Sequence, residues 1–285
     1  MYDIAFKASF ENTLKDEGKL IKSITYHDYS IEMHIHDFYE VNIVLSGRGC
    51  HRIEECTVPV KAGDVFVIPP DVAHSYNDCK GLDVFHLIIH PDFIKNNMAE
   101  ARTVDGFTLL TEAEPFLRRN SPTPMFLQLS PGELDKIWHE LEIISAKDEA
   151  YPYALITHTV WSLLYTFSHL LQQQLLAQKK QLSESCESAI LLSLEYIHMH
   201  YAEKITIQNL CDEVFMSRST FLRNFSELCR CTPLEYITAY RIKKAVQLMQ
   251  DETWSKSEIA HECGFYDLSH MDRILRKHRA SHFTI

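Results

Sequence analysis

Glycine and proline are scarce in this chain, with 8 and 10 residues among 285, and no segment is of low complexity. This composition excludes collagen-like and disordered proteins, and the length is enough for one large or two ordinary domains. No apolar run approaches the ~20 residues that cross a bilayer. The N-terminal segment also lacks the apolar stretch of a signal peptide, so we expect a cytoplasmic protein with no membrane partner.

Paired cysteine motifs are also missing. The eight cysteines include no C-x-x-C pair, and Cys229-x-Cys231 lacks the partners that a zinc knuckle requires. In a chain without an export signal, we expect the cysteines to be reduced thiols that serve as small buried side chains.

Acidic residues outnumber basic ones, and the excess is unevenly distributed. The net charge is −11, yet residues 183–285 hold 12 basic and 14 acidic residues, against 16 and 25 in residues 1–182. Between Lys204 and Lys244 the basic residues are in the majority. A binding surface is local, so the C-terminal third could still present a positive face despite the net charge of the whole chain.

The chain divides into three regions by its hydrophobic pattern. Short alternating runs separated by turn residues fill residues 20–90 and predict a small β-barrel or sandwich. From Pro131 to about Lys179 the apolar period becomes helical and predicts two long amphipathic helices. Their apolar stripe would pack against a second copy of the chain or against their own barrel. Residues 179–186 are polar and predict a linker, beyond which the pattern is helical.

Histidine and glutamate occur in the β-rich region at spacings that suit neighbouring strand positions. His34 and His36 are two residues apart, so on a strand their side chains share a face, and Glu40 and His74 complete the set. Three imidazoles and one carboxylate suit Zn, Fe, Mn, Ni or Cu. The alternative is a metal-free pocket for a small hydroxylated ligand, lined by these four residues together with Tyr39, Arg48 and Tyr76, and with His27, Tyr29, His51 and His86 as further candidates.

These two stretches resemble the paired motifs of the cupin superfamily. The resemblance implies a β-barrel, with His34, His36, Glu40 and His74 at the four usual metal-ligand positions. Asp71 departs from the pattern, because metal-binding cupins more often have glycine there. No cofactor is required by this reading, and a divalent transition metal in the barrel is the alternative to a metal-free pocket.

The C-terminal region contains the same local pattern twice. Thr206 and Ser217 are placed as N-caps of two short helices, and about 50 residues later a helix breaks at Gly264 before another begins near Leu268. Gly264 supplies the left-handed conformation that a tight helix connection often needs. Between the two units, residues 232–249 predict one helix with Pro233 in its first turn. The pattern indicates two helix-turn-helix units joined by a rigid spacer.

Over residues 190–278 this arrangement resembles the DNA-binding domain of the AraC family. The matching positions are Leu210, Ser217, Phe221, Phe225, Pro233, Tyr236, Arg241, Ala245, Ile259, Ala260, Gly264, Phe265, Asp267, Ser269 and Arg273. The resemblance implies a mixed two-domain protein: a cupin-type sensor domain over 1–178 with a helical dimerisation segment at about 131–178, a linker over 179–186, and an all-α double helix-turn-helix domain over 187–285.

The second helix of each unit is expected to enter the major groove of DNA, where its early outward-facing residues reach base edges. The candidate DNA-contacting residues are Arg218, Ser219, Thr220, Leu222 and Arg223 in the first unit and Leu268, Ser269, His270, Arg273 and Arg276 in the second. Arg223 and Arg273 suit bidentate contact with guanine, whereas Arg218 and Arg276 also suit phosphates. The remaining apolar residues of the motif are expected in the core.

The C-terminus departs from the family pattern. Members usually continue after the second recognition helix with a glycine turn and a closing helix, whereas this sequence ends shortly after Arg276. This departure puts the stability and base contacts of the second unit in doubt.

Taken together, these features predict a non-enzymatic transcription regulator. We expect an activator, but the sequence alone does not distinguish an activator from a repressor. Its expected partners are double-stranded DNA, RNA polymerase, a second copy of the chain and a small-molecule effector, a carbohydrate or related metabolite. Two alternatives remain open. One is a metal-dependent cupin enzyme of the isomerase or dioxygenase type with an appended DNA-binding tail, and the other is a tail that only holds partner proteins.

Overall fold

A computed structural model of the chain describes residues 4–10, 19–119, 126–146, 150–181, 186–249 and 253–279. The chain forms two compact units, Met1–Ser183 and Glu184–Ile285, called unit 1 and unit 2 below. Within the described residues, no helix is both long enough and apolar enough to span a membrane.

Unit 1 is built on one eight-stranded sheet. Its strands are β1 Phe6–Ala8, β2 Ile21–Tyr26, β3 Ile31–His36, β4 Tyr39–Ile53, β5 Cys56–Lys61, β6 Asp64–Ile68, β7 His74–Ile89 and β8 Leu127–Gln128. The order is β1-β3-β7-β4-β6-β8, with β2 paired to β7 and β5 paired to β4. The two long strands β4 and β7 pair antiparallel along most of their length and form the spine of the sheet.

The sheet of unit 1 is not closed, so the predicted closed barrel is not confirmed. Its path ends at β1 and β8, and no ladder between these two strands is formed in the described part of the chain. Both edge strands are very short, with three and two residues, which leaves few backbone groups to make a closing ladder.

The central strands of the sheet are buried on both faces, since all five residues of β6 are buried, and one of these faces forms a large apolar core. This core combines branched aliphatic and aromatic residues from β4 to β7, among them Val44, Ile53, Phe66, Ile68 and Val84. Gly47 is required where β4 bends, because its φ is +73° and a Cβ would lie 1.9 Å from the carbonyl oxygen of Gly81.

The helices of unit 1 differ from the prediction at one place. They are α1 Pro91–Asn96, α2 Met98–Ala101, a π-helical turn Leu109–Ala113, α3 Glu114–Arg118, α4 Pro131–Lys136, α5 Trp138–Ser145 and α6 Tyr153–Gln181. The prediction of two long helices is therefore wrong for the first of them. Ser130 and Glu133 form a capping box that starts α4, but Ile137 has a ψ of −1° and separates α4 from α5.

The second predicted helix is present as α6. Its buried stripe, Val160, Leu163, Leu164, Phe167, Leu171 and Leu175, is at most 1% exposed within the single chain. This stripe packs inside unit 1, which favours the second of the two packing alternatives. Helix α6 also reaches Gln181, so the predicted linker at 179–186 begins too early: lysine and glutamine propagate helices well. Residues 182–185 of that linker lie outside the described residues.

Unit 2 is helical throughout its described residues. Its helices are α7 Cys186–His200, α8 Ile207–Val214, α9 Arg218–Cys229, α10 Pro233–Leu248, α11 Lys256–Glu262 and α12 Leu268–Arg279. Capping boxes begin α8 at Thr206, α10 at Thr232 and α11 at Ser255, and Ser217 caps α9. Arg241 fixes α10 to the end of α7 by donating to the carbonyl oxygens of Tyr201 and Glu203, each at 2.7 Å.

A phenylalanine occupies the left-handed position at the end of α8. Phe215 has a φ of 53° and its side chain is 86% exposed. A residue with a Cβ is strained in this conformation, whereas glycine adopts it readily. Because little of the ring is buried, its removal costs little packing free energy.

We therefore expect Phe215→Gly to stabilise unit 2 by about 0.5–1 kcal/mol. The measurement is hydrogen–deuterium exchange of the α8 and α9 amides in the full-length chain. Phe215→Ala is the matched control, since it removes the ring and keeps the strain. Equal protection in the glycine and alanine variants would show that the backbone at this position is not strained.

Candidate functional sites

The first helix-turn-helix unit consists of α8, a turn and α9. The side chain of Ser217 accepts a hydrogen bond from the N–H of Thr220, which fixes the start of α9. Beneath the turn, Leu210, Phe221 and Phe225 are fully buried. The predicted core of this unit is confirmed, and it holds α9 with its opposite face in solvent.

The second unit consists of α11, a turn and α12. Gly264 has a φ of +72°, and a Cβ there would lie 2.6 Å from the carbonyl oxygen of Ala202, so the predicted glycine turn is confirmed. Asp267 accepts a hydrogen bond from the N–H of His270 at 2.7 Å and caps α12. Ile259 and Phe265 are buried and Leu275 is half-buried, so the predicted core is confirmed here as well.

The ten predicted DNA-contacting residues are all accessible to solvent. Arg218, Ser219, Arg223, Ser269, Arg273 and Arg276 are exposed, and Thr220, Leu222, Leu268 and His270 are half-buried. In the described ranges, no ion pair involves Arg223 or Arg273. Both guanidinium groups are therefore available to an external acceptor.

Some polar members of this set also have structural partners. The Thr220 and Ser219 hydroxyls lie 2.8 and 3.2 Å from that of Ser217, and Nδ1 of His270 accepts from the N–H of Tyr266 at 3.3 Å. These contacts hold the first turns of α9 and α12. The predicted absence of a closing helix rests on Ala280–Ile285, which lie outside the described residues.

Each of the two helix-turn-helix units has an exposed aromatic side chain in its turn that was not predicted from the sequence. Phe215 is 86% exposed and Tyr266 is 91% exposed, and each lies in the connection before a recognition helix. The hydrophobic pattern assigns such residues to the core, so it carries no signal for their exposure.

Unit 1 gathers the predicted histidines around one carboxylate. His34 on β3 lies directly opposite His74 on β7, with ring centroids 4.2 Å apart. Nε2 of His36 and Nε2 of His74 lie 3.2 and 3.6 Å from Oε2 of Glu40. His86, which pairs with Asn42 across β7 and β4, contacts the other carboxylate oxygen. All these side chains are at most 5% exposed.

Backbone carbonyl groups fix the orientation of three imidazoles. Nδ1 of His34, His36 and His74 lies 2.9, 2.7 and 3.2 Å from the carbonyl oxygens of Glu32, Phe38 and Val72, respectively. A carbonyl can only accept, so Nδ1 carries a proton in each of these contacts, and a ring in its neutral form presents the lone pair of Nε2 to the interior. Histidine ligands of metals are commonly oriented in this way by a partner on the other ring nitrogen.

The charges of this cluster follow from burial. Burial lowers the pKa of His34 to about 4, aided by His74, and burial also lowers the pKa of His74. Burial alone would raise the pKa of Glu40, but His86, His36 and His74 hold it well below its ordinary value. The result is a buried carboxylate beside the imidazoles, and apart from their contacts with Glu40, Nε2 of His36 and Nε2 of His74 have no hydrogen-bond partner among the described residues. A cation between these atoms would satisfy them.

Ligand atoms of His34, Glu40 and His74 lie within 4.8 Å of one another, which fits a single metal ion. The predicted fourth ligand, His36, is not part of this group, although it contacts Glu40. Tyr76 lies nearby and its hydroxyl accepts a hydrogen bond from Asn42 at 2.9 Å.

Two predicted ligand-binding residues lie away from the cluster. Tyr39 precedes Glu40 on β4, so its side chain points to the opposite face, and burial and Glu112 raise its pKa. Arg48 is exposed and lines a separate cleft.

The interior of unit 1 holds further polar residues that sequence reasoning missed or left as minor candidates. His51 is fully buried between the rings of Phe66 and Tyr76, and neither ring nitrogen has a hydrogen-bond partner among the described residues. Arg118 and Glu114 form a buried ion pair at 2.9 Å. Oppositely charged residues at positions i and i+4 of a helix are typical of an exposed surface pair. The sequence therefore does not indicate that Glu114 and Arg118 are buried.

Both units match known family models. Residues 21–142 match the AraC-like ligand binding domain, and residues 210–282 match a helix-turn-helix domain. The chain is 24% identical over 243 residues to the uncharacterized HTH-type transcriptional regulator YdeC of Bacillus subtilis (strain 168), covering 84% of this chain and 80% of YdeC.

The chain is also similar to a relative that is named as an activator and to a solved structure of a DNA-binding domain. The chain is 25% identical over 249 residues to the HTH-type transcriptional activator RhaS of Klebsiella pneumoniae (strain 342), covering 86% of this chain and 83% of RhaS. The DNA-binding domain of AdpA, solved in complex with a target DNA, is 26% identical and covers 31% of this chain and 80% of its own, with a TM-score of 0.30. With an AraC-like ligand-binding domain and a helix-turn-helix domain, the chain belongs to the AraC family of transcriptional regulators.

Proposed function

We propose that this regulator is a cytoplasmic activator that binds its operator as a homodimer, recruits RNA polymerase and responds to a small carbohydrate-like effector bound in a cupin-type unit 1. The observation that supports sequence-specific binding is the pair of recognition helices whose exposed arginines, Arg223 and Arg273, form no ion pair with any described residue. Activation is supported by the relatives named as activators. An effector acts only if its affinity differs between two arrangements of the protein.

The test is binding of the full-length chain to the DNA upstream of its own gene, compared with scrambled DNA of equal length, at two salt concentrations. Charge attraction to phosphates falls steeply with salt, whereas base contacts persist. Preference for the upstream DNA that survives at the higher salt supports the proposal, and a panel of monosaccharides then identifies the effector. Equal binding to both DNAs, with and without the sugars, would refute the operator and effector assignments.

We further propose that His34, Glu40 and His74 hold a divalent transition metal. Two imidazoles and one carboxylate with open positions suit Fe(II) or Zn. Such an ion would keep coordination positions open to oxygen ligands. The residues of this chain would orient its ligands and balance its charge: the carbonyl groups at Nδ1 fix the imidazoles, and Glu40 supplies the compensating charge.

We expect the double variant His34→Ala/His74→Ala to lose most of the metal that the wild-type chain carries. Elemental analysis of protein purified without added metal, and titration with Co²⁺ followed by its absorption, measure this. His139→Ala is the control, because His139 is exposed on α5 and lies outside the cluster. Equal metal content in wild type and double variant would exclude the site.

A further inference from the structure

A cleft of about 1010 Å³ lies in unit 1, distinct from the histidine cluster. Its walls come from β4, β5, β6 and β7, from the region of β8, and from Gln174 on α6. Clefts that take small molecules commonly have volumes of roughly 300–1,000 Å³. The cleft is therefore large enough for a sugar-sized metabolite.

Three cations form a row across this cleft. In the register of the sheet, Arg48 on β4 lies directly opposite Lys61 on β5 and directly opposite Lys80 on β7. Residues that are directly opposite have side chains on the same face of the sheet, and all three line the cleft. The row is unexpected in a chain whose net charge is −11.

Like charges directly opposite each other destabilise a sheet. In the described part of the chain, no ion pair within 4.0 Å neutralises Arg48, Lys61 or Lys80. Two acidic residues also line the cleft, but Asp64 is only 2% exposed and accepts a hydrogen bond from the backbone N–H of Lys61 at 2.7 Å. Among the described residues that line the cleft, Asp78 is the one exposed carboxylate, so the described wall keeps a positive excess.

We propose that this cleft binds a small phosphorylated metabolite of sugar size, with its phosphate held by Arg48, Lys61 and Lys80. A phosphate monoester carries nearly two negative charges and three acceptor oxygens, which three cations match better than a single carboxylate would. The inference rests on the proposed function as an effector-responsive regulator and names the class of its effector.

The amide of Gln174 connects this cleft to helix α6. Its Oε1 accepts from the N–H of Gln128 at 3.1 Å, and its Nε2 donates to the carbonyl oxygen of Phe126 at 3.3 Å. A ligand in the cleft would thus lie against both the sheet and α6, the helix that directly precedes unit 2 in the sequence. An effector shifts the protein between two arrangements only if it binds one of them more tightly. A ligand that contacts both the sheet and α6 would bind more tightly to the arrangement in which these two elements lie together.

The test is calorimetric titration of the full-length chain with glucose 6-phosphate, glucose and inorganic phosphate. We expect glucose 6-phosphate to bind more tightly than glucose, with an affinity that falls as salt is added. Arg48→Gln and Lys80→Gln should each weaken it about tenfold or more, because each removes a charged hydrogen bond. Lys95 is an exposed lysine on α1 outside the cleft, so Lys95→Gln should leave the affinity for glucose 6-phosphate unchanged.

The same variants separate a binding role from a structural one. Removing one of three opposed cations relieves repulsion, so Arg48→Gln should raise the urea midpoint of the ligand-free protein while it weakens binding. Three outcomes overturn the proposal: no binding of glucose 6-phosphate at millimolar concentration, equal affinity for glucose and glucose 6-phosphate, or wild-type affinity in Arg48→Gln. Weaker binding of ligand-free Arg48→Gln to DNA would also overturn the proposal, because it would show that the row of cations contacts DNA phosphates.

Binding to upstream DNA, measured on the same preparations, distinguishes this inference from the proposed function. Specific DNA binding without any binding of glucose 6-phosphate leaves the regulator intact and removes the cleft assignment. Binding of glucose 6-phosphate that depends on Arg48, without specific DNA binding, supports the cleft and refutes the operator assignment.

Discussion

Arg118→Met is expected to destabilise unit 1 by about 3–5 kcal/mol, because it leaves the carboxylate of Glu114 buried without its counter-charge. Both side chains of this ion pair are at most 1% exposed. Arg118 also donates to the carbonyl oxygen of Val67 and lies over the ring of Phe66, 4.9 Å from its centroid.

The neighbouring arginine provides a matched control. Arg119 and Glu54 form an ion pair of the same length, 2.9 Å, but their side chains are 27% and 21% exposed. Arg119→Met should therefore cost only about 0–1 kcal/mol. Urea unfolding is followed by tryptophan fluorescence in a Trp254→Phe background, where the remaining tryptophans, Trp138 and Trp161, both belong to unit 1.

A double variant tests whether the loss of stability comes from the unpaired buried carboxylate of Glu114. Replacing both partners, as in Glu114→Leu/Arg118→Met, removes the unpaired carboxylate and should recover most of the lost stability. If Arg118→Met and Arg119→Met lowered the free energy of unfolding by the same small amount, the burial of the Arg118 pair would not be a source of stability.

The two helix-turn-helix units could be predicted from the sequence because their signals are local. The caps Thr206 and Ser217, the proline of α10 and the left-handed Gly264 each act within a few residues. The closed barrel is not confirmed, and the first long helix was predicted wrongly. Both depend on distant contacts, the first on whether edge strands meet and the second on how the segment after Ser130 packs.

In the candidate sites of unit 1, too, local sequence patterns could be predicted and features that depend on distant contacts could not. Of the four predicted ligands, the structure brings His34, Glu40 and His74 within reach of one ion and leaves His36 outside that group, although alternate strand residues share a face. The row of Arg48, Lys61 and Lys80 could not be predicted, because it depends on the pairing register of three strands. A shift of one residue would have moved those side chains to opposite faces.

Arg223→Ala is expected to weaken binding to the operator by about 1–3 kcal/mol, roughly tenfold to a hundredfold, and to relax preference at one base pair. Arg223 is exposed on the second turn of α9, where a recognition helix meets the major groove, and in the described residues no carboxylate pairs with it. Competition with operators mutated at single positions identifies the base that loses its influence.

Arg223→Lys separates base reading from charge attraction. Lysine keeps the positive charge but lacks the planar fork that contacts guanine at two acceptors. We therefore expect this variant to retain wild-type affinity for scrambled DNA and the wild-type salt dependence, while it loses most of the preference for the operator. If instead both variants lowered the affinity for operator and scrambled DNA by the same factor, Arg223 would contact a phosphate, and Arg273 on α12 would remain as the arginine placed to read a guanine.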